Sequence, residues 1–219
     1  MATVSGGLKC YTCGSEAGEQ DQLPPQNLFP SPRPGDLFCA PICADCHSAT
    51  SEDDELFQVL VISSHDLSDA RVAAVWAPTL RGLQRPEARP RRMVHELLPT
   101  LASSLAKRRA CGSTGRAKQE MDRLVRGMYW HRFGTRLPDG AYVADFAMDP
   151  NLADLDEGTT GVLQDSPLFE TDDRVYQCRM VACADDPAAT VFIRRCYERT
   201  EFGTWTLSDG LEENTDAGP

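Results

Sequence analysis

No stretch of this 219-residue chain approaches the roughly eighteen consecutive apolar residues of a membrane-spanning helix. Residues 1 to 20 lack the apolar run of a secretory leader, so the sequence predicts a soluble protein of a reducing, cytoplasmic compartment. Walker loops, dinucleotide fingerprints and serine-elbow motifs are missing, which removes the common nucleotide-binding and hydrolase classes. There is no internal repeat. Histidine is scarce, with 4 in the chain, and His65 and His95 have no companions in sequence.

Cysteine, by contrast, is plentiful at 9 residues. The number is odd, and a disulfide framework needs an oxidising compartment that nothing here implies. Four of the cysteines stand as Cys10-Tyr-Thr-Cys13-Gly14 and, thirty residues on, Cys43-Ala-Asp-Cys46-His47. A C-x-x-C places two sulfurs on one side of a tight turn, and two of them can deliver four thiolates to one tetrahedral zinc. Gly14 supplies the backbone freedom that such a turn needs. Cys39 and His47 are alternative ligands for one of the four positions. A redox pair would have to open a helix after a strand within a βαβ unit, and neither knuckle reads that way. Cys10, Cys13, Cys43 and Cys46 are therefore the expected ligands of a structural Zn²⁺, which supplies on the order of 10 to 16 kcal/mol to a segment too small and polar to fold by itself.

Charge is distributed unevenly. Residues 1–70 have a net charge of −9, residues 71–136 of +11 and residues 137–219 of −13, against −11 for the whole. Such asymmetry marks either a polyanion-binding segment or a basic middle that packs against acidic flanks.

Hydrophobic spacing divides the chain into four parts. Residues 1–66 form a zinc module and its following helix; Pro24, Pro25, Pro30, Pro32 and Pro34 predict that the interval between the knuckles is mostly loop. Ser51-Glu-Asp-Asp-Glu55 reads as a capped, acidic helix start before Leu56, Phe57, Leu60 and Val61, with Asp53 and Asp54 as a helix-start charge pair. Residues 67–136 form a basic helical segment. Its first helix is capped by Ser68, carries Val72, Val75 and Trp76, and is stopped by Pro78. A second uses Met93, Leu97, Leu101 and Leu105, and the strongest runs from Arg116 to Phe133 with Met121, Leu124, Val125 and Met128 inward. His131 falls at the end of that helix, where it stabilises the macrodipole. Residues 137–207 read as antiparallel strands, with Tyr176, Cys178 and Met180 on one face, Cys183 and Cys196 as further core residues, and a hairpin loop at Ala184-Asp-Asp-Pro187. Residues 208–219 read as a disordered acidic tail.

Taken as one phrase, Cys10-Tyr-Thr-Cys13-Gly14, Asp21-Gln22-Leu23-Pro24-Pro25-Gln26-Asn27, Cys43-Ala-Asp-Cys46-His47 and Ser51-Glu-Asp-Asp-Glu55 resemble a zinc-stabilised bacterial branch of the HNH endonuclease superfamily. The likeness covers residues 10 to 57, and Val125-Arg-Gly-Met-Tyr129 and Phe133-Gly-Thr-Arg-Leu-Pro138 are similar to the helix and turn that follow in such proteins. It implies an N-terminal treble-clef zinc module, which together with the central helices and C-terminal antiparallel sheet read from spacing makes an α+β fold. In active members a histidine acts as general base on water and a divalent metal stabilises phosphodiester charge. Where that branch has Glu-His this chain has Asp21-Gln22, and His47 replaces an asparagine. Glutamine cannot take a proton near neutral pH.

The expectation is thus a zinc-binding, HNH-like protein that binds DNA or RNA through the basic segment 81–126 without hydrolysing it, with Arg91, Arg92, Lys107, Arg108 and Arg109 meeting phosphates. The alternatives are a nuclease that uses Mg²⁺ or Mn²⁺ with a site rebuilt around His47 and Asp21, and a zinc-scaffolded protein-interaction module.

Overall fold

The computed structural model describes residues 7–84, 116–147 and 157–208. The architecture is α+β, as the sequence implies. The N-terminal knuckle leads into a hairpin of β1 (Glu19–Leu23) and β2 (Phe38–Ile42), paired antiparallel with Asp21 opposite Ala40 and Gln22 opposite Cys39. The interval between the knuckles is mostly loop, as its prolines predict, but its two ends pair as strands. Pro24, Pro25, Pro30, Pro32 and Pro34 gather in the long hairpin connection, which also holds a 3₁₀ turn at Gln26–Leu28, while Glu19–Leu23 pairs because its alternate residues Asp21 and Leu23 are buried.

Helix α1 spans Ala44–Ser63, and its start differs from the expected Ser51. Cys43 is the N-cap, its sulfur accepting from the Cys46 amide at 3.5 Å, so the second knuckle is itself the first helical turn. Asp53 and Asp54 consequently sit mid-helix. Helix α2 spans Ala70–Leu83 and is capped by Asp69 rather than Ser68, the carboxylate accepting from the Arg71 amide at 2.8 Å. Pro78 lies inside α2 instead of ending it. Val72 and Val75 are buried within the two turns before it, and that packing holds the helix together across the missing amide.

Helix α3 spans Arg116–Phe133, and Met121, Leu124, Val125 and Met128 are all buried as their spacing predicts. It packs on α1, on both strands of the hairpin and on the strand Tyr142–Ala147. Gly127 makes the close approach possible, because a β-carbon there would stand 2.1 Å from Leu23 Cδ1. The helix expected around Met93 to Leu105 lies outside the described residues, as does the acidic tail beyond Ser208.

The C-terminal part is one five-stranded antiparallel sheet in the order β3-β7-β6-β5-β4, built from β3 (Tyr142–Ala147), β4 (Leu168–Glu170), β5 (Tyr176–Ala182), β6 (Thr190–Cys196) and β7 (Thr200–Leu207), with α4 (Glu157–Asp165) before β4. Tyr176, Cys178, Met180 and Cys196 face the core, whereas Cys183 is exposed because β5 ends at Ala182 and the next residue enters the hairpin loop. After β6 the chain turns through Tyr197 and Glu198 at φ of 50° and 60°, a left-handed conformation costly for side chains of this size. The Tyr197 hydroxyl donates to the Leu28 carbonyl and its amide to Val175 at 2.8 Å, and these bonds hold the turn. A single hydrophobic cluster runs from Cys10 and Tyr11 through α1 and α3 to Tyr176 and Phe192. Among the described residues, no helix is long and apolar enough to cross a membrane.

Candidate metal centre

Cys10 and Cys13 come from the first knuckle, whose turn closes when Gly14 donates to the Cys10 carbonyl at 2.9 Å and Cys10 donates to Ser15 at 2.7 Å. Gly14 adopts a φ of 78°, which its missing side chain permits. The Tyr11 amide donates to the Pro41 carbonyl at 2.9 Å and so fixes the knuckle against β2. Because β2 runs directly into α1, this bond helps set the first pair of sulfurs against Cys43 and Cys46 on the opening turn of the helix. The second C-x-x-C opens a helix after a strand, but that strand is paired antiparallel in a hairpin and not within a βαβ unit.

The four sulfur atoms lie within 4.8 Å of one another, and Cys13 Sγ is 3.6 Å from Cys43 Sγ. A tetrahedral ion with metal–sulfur bonds of about 2.3 Å sets its sulfurs about 3.8 Å apart. None of the four is in a disulfide. The donor set therefore fits a metal ion. Hydrogen bonds from Ser15 pull the Cys13 thiol down to about 6, while burial pushes Cys46 well up. A dication among the sulfurs reverses that penalty and deprotonates all four.

Neither alternative ligand joins the group. Cys39 turns its sulfur to the Leu37 carbonyl at 3.4 Å, and burial followed by the Asp21 charge raises its pKa. His47 binds the Glu19 carboxylate through Nδ1.

Asp21 and Gln22 are neighbours on a strand and project to opposite faces. Asp21, only 4% exposed, accepts from the Tyr11 hydroxyl at 2.5 Å and from Arg123 Nη1 at 2.5 Å. Arg123 reaches in from α3 and also binds both oxygens of Glu120, at 2.8 and 2.7 Å, and Asp54 of α1. Three carboxylates thus share one guanidinium. Burial pushes Glu120 up to about 8 and Asp54 up to about 6, which keeps a proton within the cluster near neutral pH. Burial beside Asp21 also holds the Tyr11 phenol far above its ordinary value, so it remains a donor.

Sequence reasoning missed this cluster. The Glu120 to Arg123 spacing of three along a helix was its one local signal; the approach of Asp21 and Asp54 comes from tertiary packing. His131, at the last turn of α3, lies with its ring 5.0 Å from Phe38 and 6.0 Å from Phe169, and burial lowers its pKa. Arg91, Arg92, Lys107, Arg108 and Arg109 lie outside the described residues. No protein-family model, no curated protein and no solved structure matches this chain.

Proposed function

We propose that the bound ion is zinc and that this chain is an HNH-like protein of treble-clef order that binds nucleic acid without hydrolysing it. Knuckle, hairpin and a helix whose first turn carries the second ligand pair follow one another as that arrangement requires. The observation that carries the non-hydrolytic reading is the Asp21 to Arg123 ion pair. At the position where the resemblance places Glu-His, the chain offers a carboxylate enclosed against a guanidinium and a glutamine that cannot act as a base.

Charge supports the binding reading. Residues 85–115 hold 7 basic and 2 acidic side chains. Many carboxylates elsewhere already serve other cations: Asp21, Asp54 and Glu120 serve Arg123, Asp69 and Glu198 serve Arg71, and Asp139 serves Arg136. Arg91, Arg92, Lys107, Arg108 and Arg109 are the phosphate contacts of this reading.

Binding of duplex DNA and of single-stranded RNA, measured across a salt series, tests the proposal. Each phosphate contact should lower log K against log salt by about 0.9 for duplex DNA and about 0.7 for a single strand. Affinity that does not change with salt favours a protein-interaction module instead. Cleavage under Mg²⁺ or Mn²⁺ that is lost in His47→Ala overturns the non-hydrolytic reading in favour of a nuclease.

A further inference from the structure

A dication held by four thiolates carries a net charge of −2, and a half-buried site must offset it. The two halves of this centre are provided for differently. Cys43 and Cys46 occupy the N-terminus of the 20-residue helix α1, whose dipole and first amides favour negative charge, and the Cys46 amide points at the Cys43 sulfur. Cys10 and Cys13 lie on a turn with no helix behind it. Over that turn lies Arg136.

The guanidinium of Arg136 covers the knuckle closely. A β-carbon on Gly14 would fall 3.2 Å from both Arg136 Cζ and Nη2 and 3.3 Å from Nε, so the planar group rests on the bare α-carbon. Nη1 donates at 3.4 Å to the carbonyl of Thr12, which lies between Cys10 and Cys13 on the knuckle. The side chain is 25% exposed. Its place is set from α3, which ends when Gly134, at φ of 66°, donates to the Trp130 carbonyl at 2.7 Å and turns the chain back toward the knuckle. Asp139 binds the outer side of the guanidinium through both oxygens and is itself 77% exposed.

We propose that Arg136 is the outer-shell cation of the metal centre: it offsets the thiolate charge on the knuckle side, as the α1 N-terminus does on the other, and couples metal affinity to the end of α3. Arg136 is a positioning residue, and no bond to the ion is implied. The proposal rests on the reading of the four cysteines as a metal site.

Co²⁺ and Zn²⁺ affinities, measured on the full chain by competition with a chromophoric chelator at fixed pH and low salt, test it. Arg136→Met should weaken binding by about 10- to 100-fold, the usual effect of losing an outer-shell partner. Arg136→Lys keeps the charge and should recover part of that loss. Asp139→Asn removes the counter-charge and should leave affinity unchanged or increase it. Equal affinity of Arg136→Met and wild type overturns the proposal. So does an Asp139→Asn variant as weak as Arg136→Met, because the pair would then only brace the turn. Wild-type protein that retains no metal removes the cysteine reading and this one together, a result distinct from either of those.

Discussion

Arg123 of α3 and Asp21 of β1, 102 positions apart in sequence, meet at 2.5 Å with both side chains only 6% exposed. The contact ties the hairpin that abuts the metal centre to the helix that carries the rest of the core. It also gathers Asp54 and Glu120 around the same guanidinium.

Arg123→Met leaves those three carboxylates without their cation. Removal of one partner of a buried ion pair costs about 3 to 5 kcal/mol. Urea denaturation of the metal-loaded protein should show a loss of this order, and a variant as stable as wild type would mean that water or ions satisfy the cluster.

The raised pKa values of Glu120 and Asp54 set a pH dependence. A carboxyl whose folded pKa exceeds its unfolded value contributes stability below the unfolded pKa and loses it as pH rises through the folded one. Stability should therefore decline between about pH 5 and pH 8 as the cluster gives up its proton, the upper end following from Glu120 at about 8. Glu120→Gln, which mimics the protonated form, should flatten thermal melting temperature against pH over that window. An unchanged slope would assign the dependence elsewhere.

Gly127→Ala should destabilise despite its gain of about 1 kcal/mol in helix propensity. The added carbon would stand 2.1 Å from Leu23 Cδ1, and Leu23 is fully buried with no room to yield. Overpacking of this kind costs about 1 to 3 kcal/mol. A rise in melting temperature would show that the hairpin can shift away from α3.

Metal binding should release protons and weaken on acidification, because all four sulfurs bind as thiolates and burial raises the pKa of Cys46. Elemental analysis should find one ion per chain, and Cys43→Ser should lose it. His47→Ala should keep it, since His47 turns to Glu19. Loss of the ion from His47→Ala would place the imidazole among the ligands.

The ligands were legible because a C-x-x-C pair states its own geometry. So was α3, whose expected inward residues Met121, Leu124, Val125 and Met128 are all buried, although the buried Glu120 and Arg123 beside them were not foreseen. The start of α1 was not. Ser51 followed by acids is a good cap locally, but Cys43 caps earlier with its sulfur, and a cysteine that serves the helix and the metal together carries only one visible signal. The β1–β2 hairpin was hidden because its stabilising partners, Tyr11 before it and Arg123 far beyond it, lie outside any local window. Pro78 misled for a related reason, since the burial of Val72 and Val75 outweighs a local propensity.

Helix α3 touches the knuckle through the turn that bears Arg136, the hairpin through Gly127 and Arg123, and the sheet through its Met121 carbonyl, which accepts from the buried Arg194 at 3.4 Å. A protein whose cysteine-bearing end is keyed to its central helix at these places is not a bead on a string. Cut after α1, the N-terminal piece would keep every ligand yet lose the helix against which its hairpin folds, so grafting those residues onto another protein would transfer the cysteines without the structure that arranges them.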